Sequence, residues 1–181
     1  MYTVELNFSD PARIEEWNAW YETYLAQLVS LPGLSTAQRF RAVVPGAPPW
    51  EYLALYSVAS LDVFASDAYR SIGGGGHASR RFTAAIRRCR NVYAGIEQVP
   101  AVTDAGRVVL CDDTRHGGDL DDCLFLPLEA AAGRRQAGAT ELDGEPSRRA
   151  IAVIAAETVD RLNLRVTEGL AVYAPITKRY V

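Results

Sequence analysis

The sequence predicts an α+β fold in which a β-α-β-β-α-β order runs once over residues 1–99 and again, in degenerate form, over 105–181. Three observations carry that prediction. Tyr2, Val4, Leu6 and Phe8 alternate with Thr3, Glu5 and Asn7, the period of two of a strand with one buried face. Ile14, Trp17, Tyr21, Tyr24, Leu25 and Leu28 then recur at spacings of three and four, the stripe of an amphipathic helix. Finally, Val92-Tyr93-Ala94-Gly95-Ile96 returns as Val172-Tyr173-Ala174-Pro175-Ile176, and each copy falls near the end of its half. Such an echo at equivalent places points to internal duplication.

The elements follow in order. Asp10 caps the first helix, with Pro11 at its first position, and Leu31-Pro32-Gly33 ends it. Leu34–Val44 reads as a second strand, with Arg39 and Arg41 on one face and Phe40, Ala42 and Val44 on the other. The segment PGAPPW, residues 45–50, is a loop, since its prolines cannot remain in a ladder. EYLALYSVA, residues 51–59, is apolar on both faces and reads as a central strand. A short helix over Leu61–Arg70 stops at the glycine run, Ser79 caps another helical piece to about Arg88, and Asn91–Val99 is a fourth strand. That is the split βαβ, ferredoxin-like pattern, an antiparallel sheet with helices on one face.

Residues 99–104 then read as a linker. Beyond it, Arg107–Cys111 is a strand, Asp119–Gly133 a helix broken at Pro127, and Ala137–Glu145 a hairpin arm. Arg149–Ala156 is apolar, Thr158–Val166 helical, and Leu170–Val181 a closing strand. The free sheet face of the first repeat needs a partner, and the second repeat can supply it by closing an α+β barrel. A homodimer is the alternative.

Composition narrows the function. With 49% apolar and 23% charged residues the chain is of ordinary globular type. A net charge of −3 argues against a nucleic-acid partner, as does EYLALYSV, which lacks the basic lead residue and glycine of an RNA-binding strand. No apolar run is long enough to span a membrane, and the N-terminus lacks signal-peptide features, so a cytoplasmic location is the default expectation. Cys89, Cys111 and Cys123 form neither a disulfide framework nor a zinc motif.

Glu16-Trp17-Asn18-Ala19-Trp20-Tyr21, Leu31-Pro32-Gly33-Leu34, Arg39-Phe40-Arg41 and Tyr52-Leu53-Ala54-Leu55-Tyr56 together resemble the EthD-like group of the dimeric α+β barrel superfamily, over about residues 1–97. The resemblance implies two ferredoxin-like units packed sheet to sheet around an apolar interior that holds a small aromatic or polyketide-like ligand. Members include haem-free monooxygenases, cyclases, lactone isomerases and haem enzymes. Relatives commonly carry a His shortly after the Trp-Tyr pair. Here Tyr24 stands near that place.

Candidate site residues follow. SIGGGGHASRR, residues 71–81, lacks the lysine of a phosphate loop and follows a helix rather than a strand, so it reads either as a mobile connection or as a lid. On a lid, His77 is the candidate acid or base and Arg80 the candidate anchor for an anionic oxygen. Tyr24 is a candidate hydrogen-bond donor, and Trp20, Tyr52 and Tyr56 candidate ring contacts, though aromatic residues at this spacing equally serve as core. Arg39 joins the set only if its face is the barrel interior; solvent is the expected place for at least one of Arg39 and Arg41. In CDDTRHGGDLDDC, residues 111–123, the spacing of Asp112, Asp113, His116, Asp119, Asp121 and Asp122 fits no EF-hand or HExxH site. A Gly117-Gly118 turn and a helix capped by Asp119 are expected there, and no metal or other cofactor is called for. The expectation is a small-molecule enzyme acting by proton transfer on an apolar oxygenated or aromatic compound. The alternative is a non-catalytic ligand-binding protein on the same scaffold.

Overall fold

The computed structural model describes residues 1–46, 48–112, 123–131, 133–164 and 169–181. The strands are β1 (Tyr2–Phe8), β2 (Leu34–Ala42), β3 (Tyr52–Val58), β4 (Ile86–Ala94), β5 (Gly106–Cys111), β6 (Leu126–Ala130), β7 (Arg135–Ala137), β8 (Thr140–Leu142), β9 (Arg148–Ala155) and β10 (Leu170–Pro175). The helices are α1 (Ile14–Val29), α2 (Asp67–Ser71) and α3 (Ala156–Arg161), with short 3-10 turns at Pro11–Arg13, Leu61–Ala65, Gly74–Gly76 and Arg80–Ala85. None of these helices is long and apolar enough to cross a membrane.

Eight strands close into one antiparallel barrel in the order β1-β3-β2-β10-β5-β9-β6-β4, and β7-β8 forms a separate hairpin. The two halves of that order correspond: β4-β1-β3-β2 in the first, β10-β5-β9-β6 in the second. Two seams join them, β2 with β10 and β4 with β6. The repeated Val-Tyr-Ala segments sit at these seams. Tyr93 pairs with Ala130, the last residue of β6, and Tyr173 with Ala42, the last residue of β2. Both phenols are buried, and each donates to a carbonyl two residues ahead of a strand, Tyr93 to Pro146 before β9 and Tyr173 to Trp50 before β3.

Closure buries both faces of β1 and β3 and most of β2. On β1 the even residues pack under α1 with Trp17, Tyr21 and Leu25, while Thr3 and Glu5 turn inward and are also buried. The single buried face expected for this strand is therefore wrong, because alternation alone cannot distinguish solvent from a polar interior. Trp17 stacks on Phe8 at 4.6 Å between ring centroids, locking the helix onto the sheet. Asp10 accepts from the Ala12 amide and caps the entry turn, and Gly33 at φ +85° ends the helix.

Three boundaries differ from expectation. Ser79 leads into a single 3-10 stretch, and β4 begins at Ile86, because seven consecutive pairs with β1 outweigh local helix propensity. Leu126–Ala130 is a strand rather than a broken helix. Pro127 is tolerated there because β4 pairs only with Glu129 and Ala130, leaving β6 a neighbour on one side at the proline. In the second half α3 ends at Arg161 and β10 at Pro175, after which Tyr180 bridges back to Ala37. The turn and helix cap expected within 113–122 lie outside the described residues.

Inside the barrel Phe40, Leu53, Leu55, Val108, Leu110 and Ile151 form an apolar core. Above it Arg149 of β9 reaches Glu5 of β1 at 2.9 Å and Asp112 at 2.6 Å, an ion pair that ties one half to the other. Burial pushes the Glu5 carboxyl up, against the pull of Arg149. Replacing Arg149 by Met leaves Glu5 buried without its partner. A loss of about 3–5 kcal/mol at neutral pH is expected. Glu5, its folded pKa raised further, then favours the protonated form. Part of the loss is therefore absent below the ordinary carboxylate range and sets in as pH rises through it, which urea denaturation across pH will test.

Candidate functional site

Among the described residues, three cavities bear on the role. The largest, about 590 Å³, lies at the barrel mouth over Glu5, Asp112, Arg149 and Tyr173, and is rimmed by Pro48 and Pro49. A second, about 220 Å³, is apolar and sits at the other end, between Met1, Val99, Val108 and Ile151. The third, about 50 Å³, lies outside the barrel, between α1 and the outer face of β1 and β4, with the glycine loop as its rim. By the measure in which one water needs about 10–15 Å³, this is room for roughly four waters, less than the roughly 150 Å³ that encloses a benzene, so a ring seated here reaches out through the open rim.

What separates them is whether their polar groups already have partners. At the barrel mouth Arg149 gives Nε to Asp112 and its terminal nitrogens to Glu5 and Asp112, so the cation is satisfied by two carboxylates. The outer cavity is different. Arg88 and Arg90, two apart on β4, both face it, opposite Leu6 and Val4 of β1. Arg90 donates to the Gly75 carbonyl at 3.1 Å, but its Nε is buried without a partner. Arg88 is half-buried, and among the described residues its guanidinium has neither a hydrogen bond nor an ion pair. Burial, and then the neighbouring Arg90 charge, loosen its hold on its proton.

The remaining walls are aromatic. Tyr24 and Trp20 of α1 stack at 5.2 Å, and Tyr2, Tyr21, Tyr56 and Tyr69 complete the lining. Tyr21 and Tyr56 share a hydrogen bond at 3.2 Å, while the Tyr69 hydroxyl meets Thr140 and accepts from the Gly75 amide. Tyr2 and Tyr24 have no hydrogen-bond partner among the described residues. Burial raises the pKa of both phenols, so they stay protonated as donors. No carboxylate or imidazole is among the described lining residues.

The glycine loop is held from the other half of the chain. Ala139, between β7 and β8, donates to the Phe64 carbonyl, Asp143 accepts from the Arg90 amide, and Gly75 packs so closely on the Ala139 carbonyl that a Cβ would collide with it. A Cβ on Gly76 would come within 2.6 Å of the Arg88 guanidinium nitrogens and displace that side chain, and the φ of +105° at Gly76 itself favours glycine. The loop is thus a fitted rim rather than a loose connection.

The structure brings together Trp20, Tyr24 and Tyr56, but on the outer face of the sheet, not within the barrel. His77 and Arg80 stand on the same loop facing solvent, bonded to each other at 2.7 Å, and neither lines the cavity. Arg39 is neither in solvent nor in the barrel interior. It lies 1% exposed beneath α1, bonded to Asn18 and packed over Trp17 and Tyr21 at 4.5 and 4.1 Å. Tyr52 belongs to that same packing, whereas Arg41 reaches solvent and pairs with Glu51. Arg88, Arg90, Tyr2 and Tyr69 were not among the predicted site residues. The signal was available for the first two, since starting the strand at Ile86 puts Arg88 and Arg90 on one face.

No family model and no curated protein matches the chain. Among solved structures, an anthrone oxidase-like protein aligns over 97% of this chain and 91% of its own, with TM-score 0.47 and 11% identity. A candidate monooxygenase from Fusobacterium nucleatum subsp. nucleatum aligns over 97% and 92%, with TM-score 0.49 and 8% identity. Another from Lactobacillus acidophilus aligns over 97% and 92%, with TM-score 0.46 and 9% identity. At such identities and scores, nothing of those proteins' chemistry passes to this chain.

Proposed function

We propose that the chain binds a small oxygenated ring compound in the cavity beneath α1 and acts on it by proton transfer, with Tyr24 as the donor at the reacting oxygen. The observation that carries this reading is the meeting of Trp20, Tyr24, Tyr2 and Tyr56 around one small, open-rimmed cavity, with two phenols left without partners among the described residues. Ring faces bind an aromatic ligand, and a protonated phenol in a dry site stabilises charge developing on oxygen. His77 and Arg80 are left at the rim. The Trp-Tyr helix and the Tyr-Leu-Ala-Leu-Tyr strand, which carry the EthD-like resemblance, supply walls of this cavity and support membership of that group. The matching strand orders and the equivalent Tyr93 and Tyr173 bonds support a tandem ferredoxin-like repeat over 1–99 and 105–181.

One observation favours a second reading, ligand binding without turnover. The described lining residues include no carboxylate or imidazole to accept a proton.

Titrating acetophenone or methyl benzoate while following tryptophan emission tests the common part, because Trp20 lines the cavity. Quenching that disappears in Trp20→Phe is expected, and no saturable response from either compound would sink the reading. Tyr24→Phe is expected to weaken binding about five- to tenfold, the effect of one hydrogen bond. His77→Ala and Arg39→Met should leave affinity unchanged. For any ligand found, mass spectrometry of the incubated mixture separates the two readings: an enzyme yields a product that Tyr24→Phe suppresses, and a carrier returns the ligand intact.

A further inference from the structure

We propose that the ligand of this cavity carries an oxyanion on its ring, a carboxylate, phenolate or enolate, and that Arg88 is the residue that receives it, with Arg90 behind it. This rests on the aromatic-cavity reading above and adds the charge of the ligand to it.

The argument is one of unpaired donors. Arg88 presents a half-buried guanidinium to an apolar cavity with no partner among the described residues, and Arg90, nine-tenths buried, leaves Nε unbonded on the same face. Tyr2 from β1 and Tyr24 from α1 add two hydroxyls without partners among the described residues. Tyr21 from α1 and Tyr69 from α2 also face the cavity, but their hydroxyls are engaged with Tyr56 and Thr140. The acid that feels both arginines is Glu141 on β8, and its Oε1 is held by Arg134 at 2.8 Å on the surface. Two cations and two neutral donors therefore converge where, among the described residues, no anion lines the space, and partly desolvated charge of one sign is unfavourable until an anion arrives. The planar fork of Arg88, which lies beside Gly76, suits two oxygens or one oxygen taken side-on. With so little enclosed space, the fit is at most a compact cyclic acid seated partly in the open rim, rather than a nucleotide or a fatty acid.

The test uses 4-nitrophenol, whose phenolate is yellow, and benzoate as a colourless competitor. In the wild-type protein the bound phenol should ionise at a pH lower by about one unit or more, a tenfold preference for the anion. Benzoate should displace it, with benzamide at least about tenfold weaker. Arg88→Met should abolish the shift and Arg148→Gln, a remote surface change, should preserve it. Arg88→Met should also raise the melting temperature of the empty protein, since it removes an unpaired charge; a merely structural arginine would lower it. Should that variant not fold, Arg88→Lys keeps the charge but not the fork, and is expected to bind more weakly with the anion preference retained. Equal binding of benzoate and benzamide, or an unshifted phenol, overturns the proposal while neutral ring binding keeps the cavity reading. Failure of neutral and anionic probes alike overturns both.

Discussion

Closure of the eight strands into one barrel is the constraint on which the rest of the molecule depends. A closed sheet has no free edge, and in this chain both seams are made between the halves, so neither half's sheet is complete without the other. Closure also turns the odd residues of β1 into interior residues. Glu5 must then find a cation inside the barrel, and the one it finds, Arg149, comes from the opposite half. The apolar interior supplies the bulk of the burial, whereas the Glu5–Arg149–Asp112 cluster fixes which residues of the two halves face each other. Slipping β9 by one residue would put Arg149 outside and leave two carboxylates unpaired.

The two halves share a strand plan but not a division of labour. The first carries the long helix α1, whose Trp17, Tyr21, Leu25 and Leu28 cover the outer sheet face and leave the aromatic cavity at its edge. In the second half the outer face is packed by the much shorter α3. What the second half contributes to the site is the β7–β8 hairpin. It leaves the barrel, crosses to the first half and holds the glycine loop through Ala139, Thr140 and Asp143. The cavity wall thus depends on contacts more than 50 residues apart in sequence, so the loop's conformation is a tertiary property. The glycines permit it and the hairpin selects it.

Much of the scaffold was legible because it is written in short-range chemistry. The alternation of β1, the three-and-four spacing of α1, the Asp10-Pro11 start and the Pro32-Gly33 stop each act within a few residues. The Val-Tyr-Ala echo was legible for a further reason, since each tyrosine keeps the same long-range bond in its own half. What escaped were facts of facing. Nothing local distinguishes an Arg39 buried against Trp17 and Tyr21 from one in solvent, because cation–π packing needs rings from another element. Arg88 and Arg90 escaped because the helix was read to about Arg88 and the strand only from Asn91, which left the two arginines on no common face. His77 drew attention by rarity, yet rarity says nothing about direction, and its ring is turned to solvent.

Size was an equally poor guide within the structure. The cavity at the barrel mouth is some tenfold larger than the one under α1, but its cation already holds two carboxylates. A ligand entering there would compete with a satisfied pair. Under α1 a smaller space holds donors left wholly or partly without acceptors among the described residues, and each was placed by an element with another purpose: Arg88 and Arg90 by the β1–β4 register, Tyr24 by the helix stripe. Burying cations without counter-ions works against folding. Arg39, also without a carboxylate among the described residues, is offset by the rings of Trp17, Tyr21 and Tyr52 packed on its guanidinium. Arg88 and Arg90 instead face an open space, which is the physical reason for seeking the function of this fold there.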